Sequence, residues 1–133
     1  MARLLEMFGL RGKAKGPHTD DALKSVAVAD AYALSSRNAL MIIDVREASE
    51  WNKTGRPQGS VGISLGDPDF EMKLLEAVGG DFEKPIAVSC QAGPRAAKAA
   101  KKARAVGHHD VAVIEGCFTA WEQAGLPIDY PPF

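Results

Sequence analysis

The sequence predicts an α/β fold built on a mainly parallel sheet, and three observations predict it. From about residue 25 onward, short β-prone runs alternate with segments whose apolar residues recur at helical spacing. One of those runs, Ala39–Val45, is apolar except for Asp44, the pattern of a strand buried on both faces. The chain of 133 residues has no internal repeat and no low-complexity linker, so a single core suffices. Residues 21–133 are expected to form that domain, with 1–20 as an N-terminal tail or a docking helix.

The elements follow in order. Ser25–Val28 is short and β-prone, and Asp30 is placed to cap a helix over 31–36. The buried strand at 39–45 comes next, then a helical turn over 48–53 that stops before Gly55. Val61–Leu65 reads as a weaker strand. Asp67-Pro68 then opens a helix with proline at its first position. Within it Phe70, Leu74, Leu75 and Val78 share a face, and Gly79-Gly80 ends it. Ile86–Ser89 is a strand, 94–106 a helix stopped by Gly107, Val111–Ile114 a strand, and 118–124 a last helix closed by Gly125-Leu126-Pro127.

Composition narrows the function classes. With 46% apolar and 25% charged residues the chain reads as a soluble globular protein. A formal net charge of −1 gives no bulk attraction to nucleic acid or to an anionic membrane. No apolar run reaches the ~18 residues of a membrane span, and Glu6 breaks the apolar stretch of the N-terminus, which makes a poor secretory signal. Two cysteines, Cys90 and Cys117, form no disulfide framework, and no Cys/His cluster offers a metal cage. His108 and His109 are adjacent, which reads as a turn between a helix and a strand. Reduced thiols suggest the cytoplasm.

The chemistry points to the segment CQAGPRA, residues 90–96. Cys90 falls between a strand and a helix, where the unpaired N–H groups and the dipole of the helix face the sulfur. Gly93 allows a tight path, and successive loop amides can form an anion nest. Such surroundings lower a thiol pKa from ~8.5 to roughly 3.5–7.5 and make the thiolate a nucleophile. Arg95 adds a cation at the rim. The plainer reading is a buried cysteine used as a small apolar residue, and the lysine-rich helix that follows reads as a solvated face. Asp44-Val45-Arg46 also falls at a strand's carboxyl end, where α/β folds gather ligands, so it is expected to share the crevice of Cys90.

Asp44-Val45-Arg46-Glu47, Glu50-Trp51, Gly55 and Gly59, CQAGPRAA, Glu115–Trp121 and Gly125-Leu126-Pro127 occur in that order. The chain thereby resembles the rhodanese family of single-domain sulfurtransferases, from about Ser25 to Pro127. The resemblance implies a rhodanese-like fold with a mainly parallel five-stranded sheet, flanked by helices on both faces. It also implies an enzyme whose cysteine carries a sulfane sulfur as a persulfide, without a cofactor or a metal. It assigns catalysis to Cys90 and assigns the cradling of the persulfide to Gln91, Ala92, Gly93, Pro94, Arg95 and Ala96. Asp44 and Arg46 are implied as supporting residues.

The sequence departs from the family's pattern in three places. Gly55–Ser60 replaces the usual Gly-His-Ile-Pro-Gly-Ala. Ala96 stands where serine is common, and Cys117 stands in place of a glycine, read as a tolerated small residue near the sheet edge, with a resolving thiol as the alternative.

The implied partners are a small sulfur-donor anion such as thiosulfate, or a persulfide donor, and a thiol, cyanide or protein acceptor, acting on a monomer. A non-catalytic rhodanese-like binding module is one alternative, opposed by the presence of Cys90. A phosphatase on the same fold is another, opposed by the loop: four residues, Gln91 to Pro94, separate Cys90 from Arg95, one fewer than a phosphate ring uses.

Overall fold

A computed structural model describes residues 23–133, so the expected tail or docking helix at 1–20 lies outside the described residues. Five parallel strands form one sheet. They are β1 (Lys24–Val26), β2 (Met41–Asp44), β4 (Val61–Gly62), β5 (Ile86–Ser89) and β6 (Val111–Ile114), in the spatial order β1-β6-β5-β2-β4. A two-residue ribbon stands apart from it, with β3 (Arg56–Pro57) antiparallel to β7 (Ile128–Asp129). Five helices connect the strands: α1 (Val28–Ser36), α2 (Ala48–Thr54), α3 (Phe70–Ala77), α4 (Pro94–Ala105) and α5 (Cys117–Gln123).

The two-residue period of the central strands sorts the core into two layers. Ile43, Ile86 and Val88 face α3 and α4, where Phe70, Leu74, Ala96, Ala99, Ala100 and Ala103 meet them. Ile42 and Ala87 face the other way, toward Ala31 and Leu34 of α1 and Phe118 and Trp121 of α5. The run of alanines in α4 is therefore a packing face. Alanine lets that helix approach the sheet closely while its lysines stay outside, with Lys98 and Lys101 exposed.

Several sequence expectations shift. Asp30 does not cap α1: the helix starts earlier, with Ala27 at its N-cap, and Asp30 lies in the first turn, where its charge favours the helix dipole. Asp67-Pro68 precedes α3. The Asp67 carboxylate accepts the Asp69 N–H at 2.8 Å, an Asx turn that delays the helix to Phe70. The strand expected over 61–65 is shortened to two residues. Beyond them, Ile63 and Leu65 still donate N–H groups to the Asp44 and Val45 carbonyls. The helix α2 runs one residue beyond its expected end, to Thr54, and a reciprocal capping box of Glu47 and Glu50 fixes its start. His108 lies in the expected helix-to-strand connection, yet it is wholly buried, edge-on to Phe82.

Candidate active site

β2 and β5 are adjacent and in register, Asp44 opposite Ser89. Their carboxyl ends therefore bring Asp44-Val45-Arg46 and Cys90 to one rim, as expected from the sequence. Asp44 and Arg46 are both fully buried. The guanidinium of Arg46 binds the Asp44 carboxylate through Nε (3.1 and 3.2 Å) and Nη2 (2.9 Å). Asp44 also accepts the backbone N–H of Arg46 at 2.9 Å and the Trp51 indole N–H at 3.1 Å. The remaining Arg46 donors reach the Gly55 carbonyl (2.8 Å), the Thr54 hydroxyl (3.0 Å) and Gln91 Oε1 (3.3 Å), and Phe118 lies 4.1 Å beneath the cation. A buried charge needs this saturation of partners. The contact with Gln91 couples the buried pair to the cysteine loop.

The loop is fixed from its other side by α5. The Phe118 N–H donates to the Cys90 carbonyl (3.0 Å), and the Thr119 N–H and hydroxyl donate to the Gln91 carbonyl (3.1 and 3.0 Å). Gln91 Nε2 returns a bond to the Thr119 hydroxyl at 3.0 Å. Gln91 is thus held at both ends of its side chain and at its carbonyl. Gly93, the N-cap of α4, has φ 148° and ψ −45°. A Cβ there would meet open space, so what requires glycine is the backbone conformation, not crowding. That conformation turns the Gly93 N–H onto Cys90 Sγ at 3.1 Å. Ala92 and Pro94 are exposed and border the open side of the loop.

Cys90 is 1% exposed, and its thiol is held down at about 5. The main cause is a hydrogen bond from the Cys117 thiol. Burial opposes it, and the backbone N–H groups of Ala96, Gly93 and Ala92 add to it. These contacts favour the thiolate form of Cys90. Ala96, although it lacks a hydroxyl, contributes through its backbone.

Two residues differ from their sequence expectation. Arg95 is not a free cation at the rim. Its fork binds the Glu50 carboxylate at 2.7 and 3.0 Å, and that pairing holds the Glu50 carboxyl down at about 2. Cys117 is not at a sheet edge. It is the first residue of α5, wholly buried, with its Sγ 3.9 Å from Cys90 Sγ. The hydrogen bond to Cys90 and burial both raise its pKa, so it remains a protonated donor. Glu50 and Thr119 are site residues that the loop motif did not mark. The resemblance includes Glu50 only within Glu50-Trp51 and Thr119 only within Glu115–Trp121, with no role in the site implied for either. Among the described residues, no three His, Cys, Asp or Glu side chains converge on a metal position.

A doubly covered parallel sheet with a thiolate held in a strand-to-helix loop defines the class: an α/β protein with a cysteine-centred anion loop. Comparison with known proteins agrees, since the family described as Rhodanese-like domain matches residues 27–124. The chain belongs to the rhodanese family. It is 28% identical over 103 residues to the thiosulfate sulfurtransferase GlpE of Pseudoalteromonas translucida, covering 77% of this chain and 92% of that protein. Among solved structures, the polysulfide-sulfur transferase homodimer of Wolinella succinogenes superposes with a TM-score of 0.67 at 31% identity, covering 83% of this chain and 80% of that one. A protein from Rhodopseudomonas palustris, described as of unknown function and a possible tyrosine phosphatase, gives 0.67 at 30% identity, covering 86% of this chain and all of that one. No described helix is long and apolar enough to cross a membrane.

Proposed function

We propose that this chain is a sulfurtransferase in which Cys90 carries the sulfur. The Cys90 thiolate attacks the sulfane sulfur of a donor such as thiosulfate. The donor's S–S bond breaks, sulfite departs with the electron pair, and a persulfide remains on Cys90. A nucleophilic acceptor, a thiol, cyanide or a protein thiol, then attacks the outer sulfur and Cys90 leaves as a thiolate. A low thiol pKa serves both halves, because the thiolate is the attacking species in the first and a good leaving group in the second. No cofactor or metal takes part.

The observation that carries this reading is the Gly93 N–H on Cys90 Sγ at 3.1 Å, within a loop where the backbone N–H groups of Ala92 and Ala96 also stabilise sulfur anion. In this reading Gln91, Ala92, Gly93, Pro94, Arg95 and Ala96 form the cradle, and Asp44 and Arg46 hold it from below. The sulfurtransferase relatives support sulfur as the cargo. We take the working form to be a cytoplasmic monomer.

A phosphatase is the rival suggested by the Rhodopseudomonas protein. The four-residue spacing from Cys90 to Arg95 opposes it, one residue short of the ring of N–H donors a phosphate uses.

The test is thiocyanate formation from thiosulfate and cyanide by the wild-type chain and by Cys90→Ser, beside hydrolysis of an aryl phosphate. Serine is close in size but cannot form a persulfide, so sulfur transfer should fall to background with the fold kept. Transfer surviving in Cys90→Ser, or phosphate hydrolysis without transfer, would overturn the reading. A folded wild type inactive in both assays would favour a binding module.

A further inference from the structure

Cys117 carries two observations that a packing role does not explain. Its sulfur touches the nucleophile's, 3.9 Å from Cys90 Sγ, with both side chains buried and their backbones joined by the Phe118 N–H to the Cys90 carbonyl. Its own backbone has φ 52°, directly after Gly116 at φ 71°. Left-handed backbone at a residue other than glycine is uncommon and unfavourable, and a glycine would fit here without strain. The chain tolerates an unfavourable conformation to put a thiol against Cys90. Observed strain of this kind concentrates at functional positions.

We propose that Cys117 is a resolving thiol, which displaces the sulfane sulfur from loaded Cys90 as hydrosulfide and leaves a Cys90–Cys117 disulfide. The inference rests on the sulfurtransferase reading above, since Cys90 must first be loaded. In the step, a bond forms between Cys117 Sγ and Cys90 Sγ while the bond from Cys90 Sγ to the sulfane sulfur breaks. The electron pair leaves with the sulfane sulfur, which takes the Cys117 thiol proton. The sulfane sulfur is reduced to sulfide, and the two cysteine sulfurs are oxidised to the disulfide. No outside oxidant enters. A small thiol or dithiol then reduces the disulfide and restores both cysteines. With thiosulfate as donor, the net reaction yields sulfite and sulfide at the expense of two thiols.

The geometry suits this sequence. The 3.9 Å separation is about half an ångström beyond the ~3–3.5 Å of near-attack geometry. The backbone N–H groups of Ala92, Gly93 and Ala96 already stabilise negative charge on sulfur at Cys90. Loading also arms the second thiol. While Cys90 is a thiolate, its hydrogen bond is the largest cause keeping Cys117 protonated. Once Cys90 carries sulfur, the negative charge moves outward by one bond, and that restraint on Cys117 is lifted. Cys117 is thus silent toward empty enzyme and reactive toward loaded enzyme.

The experiment treats the reduced full chain, in the absence of oxygen and of thiols, with excess thiosulfate. Sulfite, sulfide and intact protein mass are then read together. The expected wild-type result is equal amounts of sulfite and sulfide and a protein two hydrogens lighter, with Cys90 and Cys117 joined in the peptide map. Adding a dithiol should then give continuous sulfide release. Cys117→Ala and Cys117→Ser should release sulfite more slowly, because the largest cause of the low Cys90 pKa is gone, lose sulfide release to background and stay one sulfur heavier. If the wild type releases sulfite but stays one sulfur heavier with no sulfide, the inference falls and the sulfurtransferase reading stands. If neither the wild type nor the variants release sulfite, the sulfurtransferase reading falls and takes the inference with it. Should the variants fail to fold, the wild-type mass and peptide map still decide.

Discussion

Glu50→Gln is the most informative single change at the rim. In the resting site the Arg95 fork is occupied by the Glu50 carboxylate at 2.7 and 3.0 Å. A dianionic donor that uses Arg95 must therefore compete with Glu50 for the same donors. Hydrogen bonds to charged groups contribute about 1.5–3 kcal/mol when well shielded. Here the two side chains remain 37% and 31% exposed, and pairs open to solvent settle nearer ~1 kcal/mol. Removing the carboxylate's charge should therefore lower KM for thiosulfate by about 5-fold, with little change in kcat. The glutamine keeps the α2 capping box, because its amide oxygen can still accept the Glu47 N–H that Glu50 now accepts at 2.9 Å. An uncharged persulfide donor should show no such gain. The assay is steady-state sulfur transfer with each donor across a salt series, and the thiosulfate gain should shrink as salt screens it. An unchanged thiosulfate KM, or equal changes for both donors, would refute the idea that Arg95 reads substrate charge and leave it as a brace for the loop.

Three further outcomes are expected. Alkylation of Cys90 by iodoacetamide should rise with pH through a midpoint near about 5, and Cys117→Ala should move that midpoint upward by removing its largest cause. A wild-type midpoint at the ~8.5 of a free thiol would remove the electrostatic account. Asp44→Asn leaves the buried Arg46 cation without its counter-charge and should lower unfolding free energy in urea by about 3–5 kcal/mol; a loss under ~1 kcal/mol would mean that the pair is dispensable. His108 is buried with neither ring nitrogen hydrogen-bonded, and burial lowers its pKa below the ordinary 6.5. The unfolded chain therefore binds the proton more readily, so stability should fall as pH drops below about 6.5, and His108→Phe should flatten that slope in urea titrations. An unchanged slope would assign the pH dependence to other groups.

The parts of this molecule legible in sequence are those specified by neighbours in the chain. β5, α4 and β6 lie where apolar runs, Pro94 and Gly107 put them, to within a residue. Cys90 was identifiable for the same reason, since a cysteine at the junction of two predicted elements needs no tertiary information. The β3–β7 ribbon was not legible. Each strand has two residues, one of them Pro57, and the pairing joins segments far apart in sequence. Arg95 and Cys117 were misplaced for a related reason. The partner of Arg95 comes from α2, and Cys117 meets Cys90 only because α5 docks its first amides onto the loop carbonyls. Charge and residue type are visible in a sequence, whereas the neighbour that cancels a charge or shares a proton is a property of packing.

The β3–β7 ribbon sets where this domain can be cut. The family match ends at residue 124, but the fold's wiring runs further. The Trp121 indole N–H donates to the Pro127 carbonyl at 2.8 Å, and the Asp129 carboxylate accepts the Gly59 N–H at 2.9 Å. A Cβ at Gly55 would come within 2.6 Å of the Asp129 carbonyl oxygen, so the C-terminal strand lies directly against Gly55. The Gly55 carbonyl, in turn, is one of the acceptors that saturate Arg46, and Arg46 holds Gln91. Mechanical load therefore has a route from the chain's end to the cysteine loop in three contacts. A protein shortened to residue 124 would keep every motif residue of the loop and lose its tensioning strap, and a bulky fusion joined close behind Asp129 would pull on the same line.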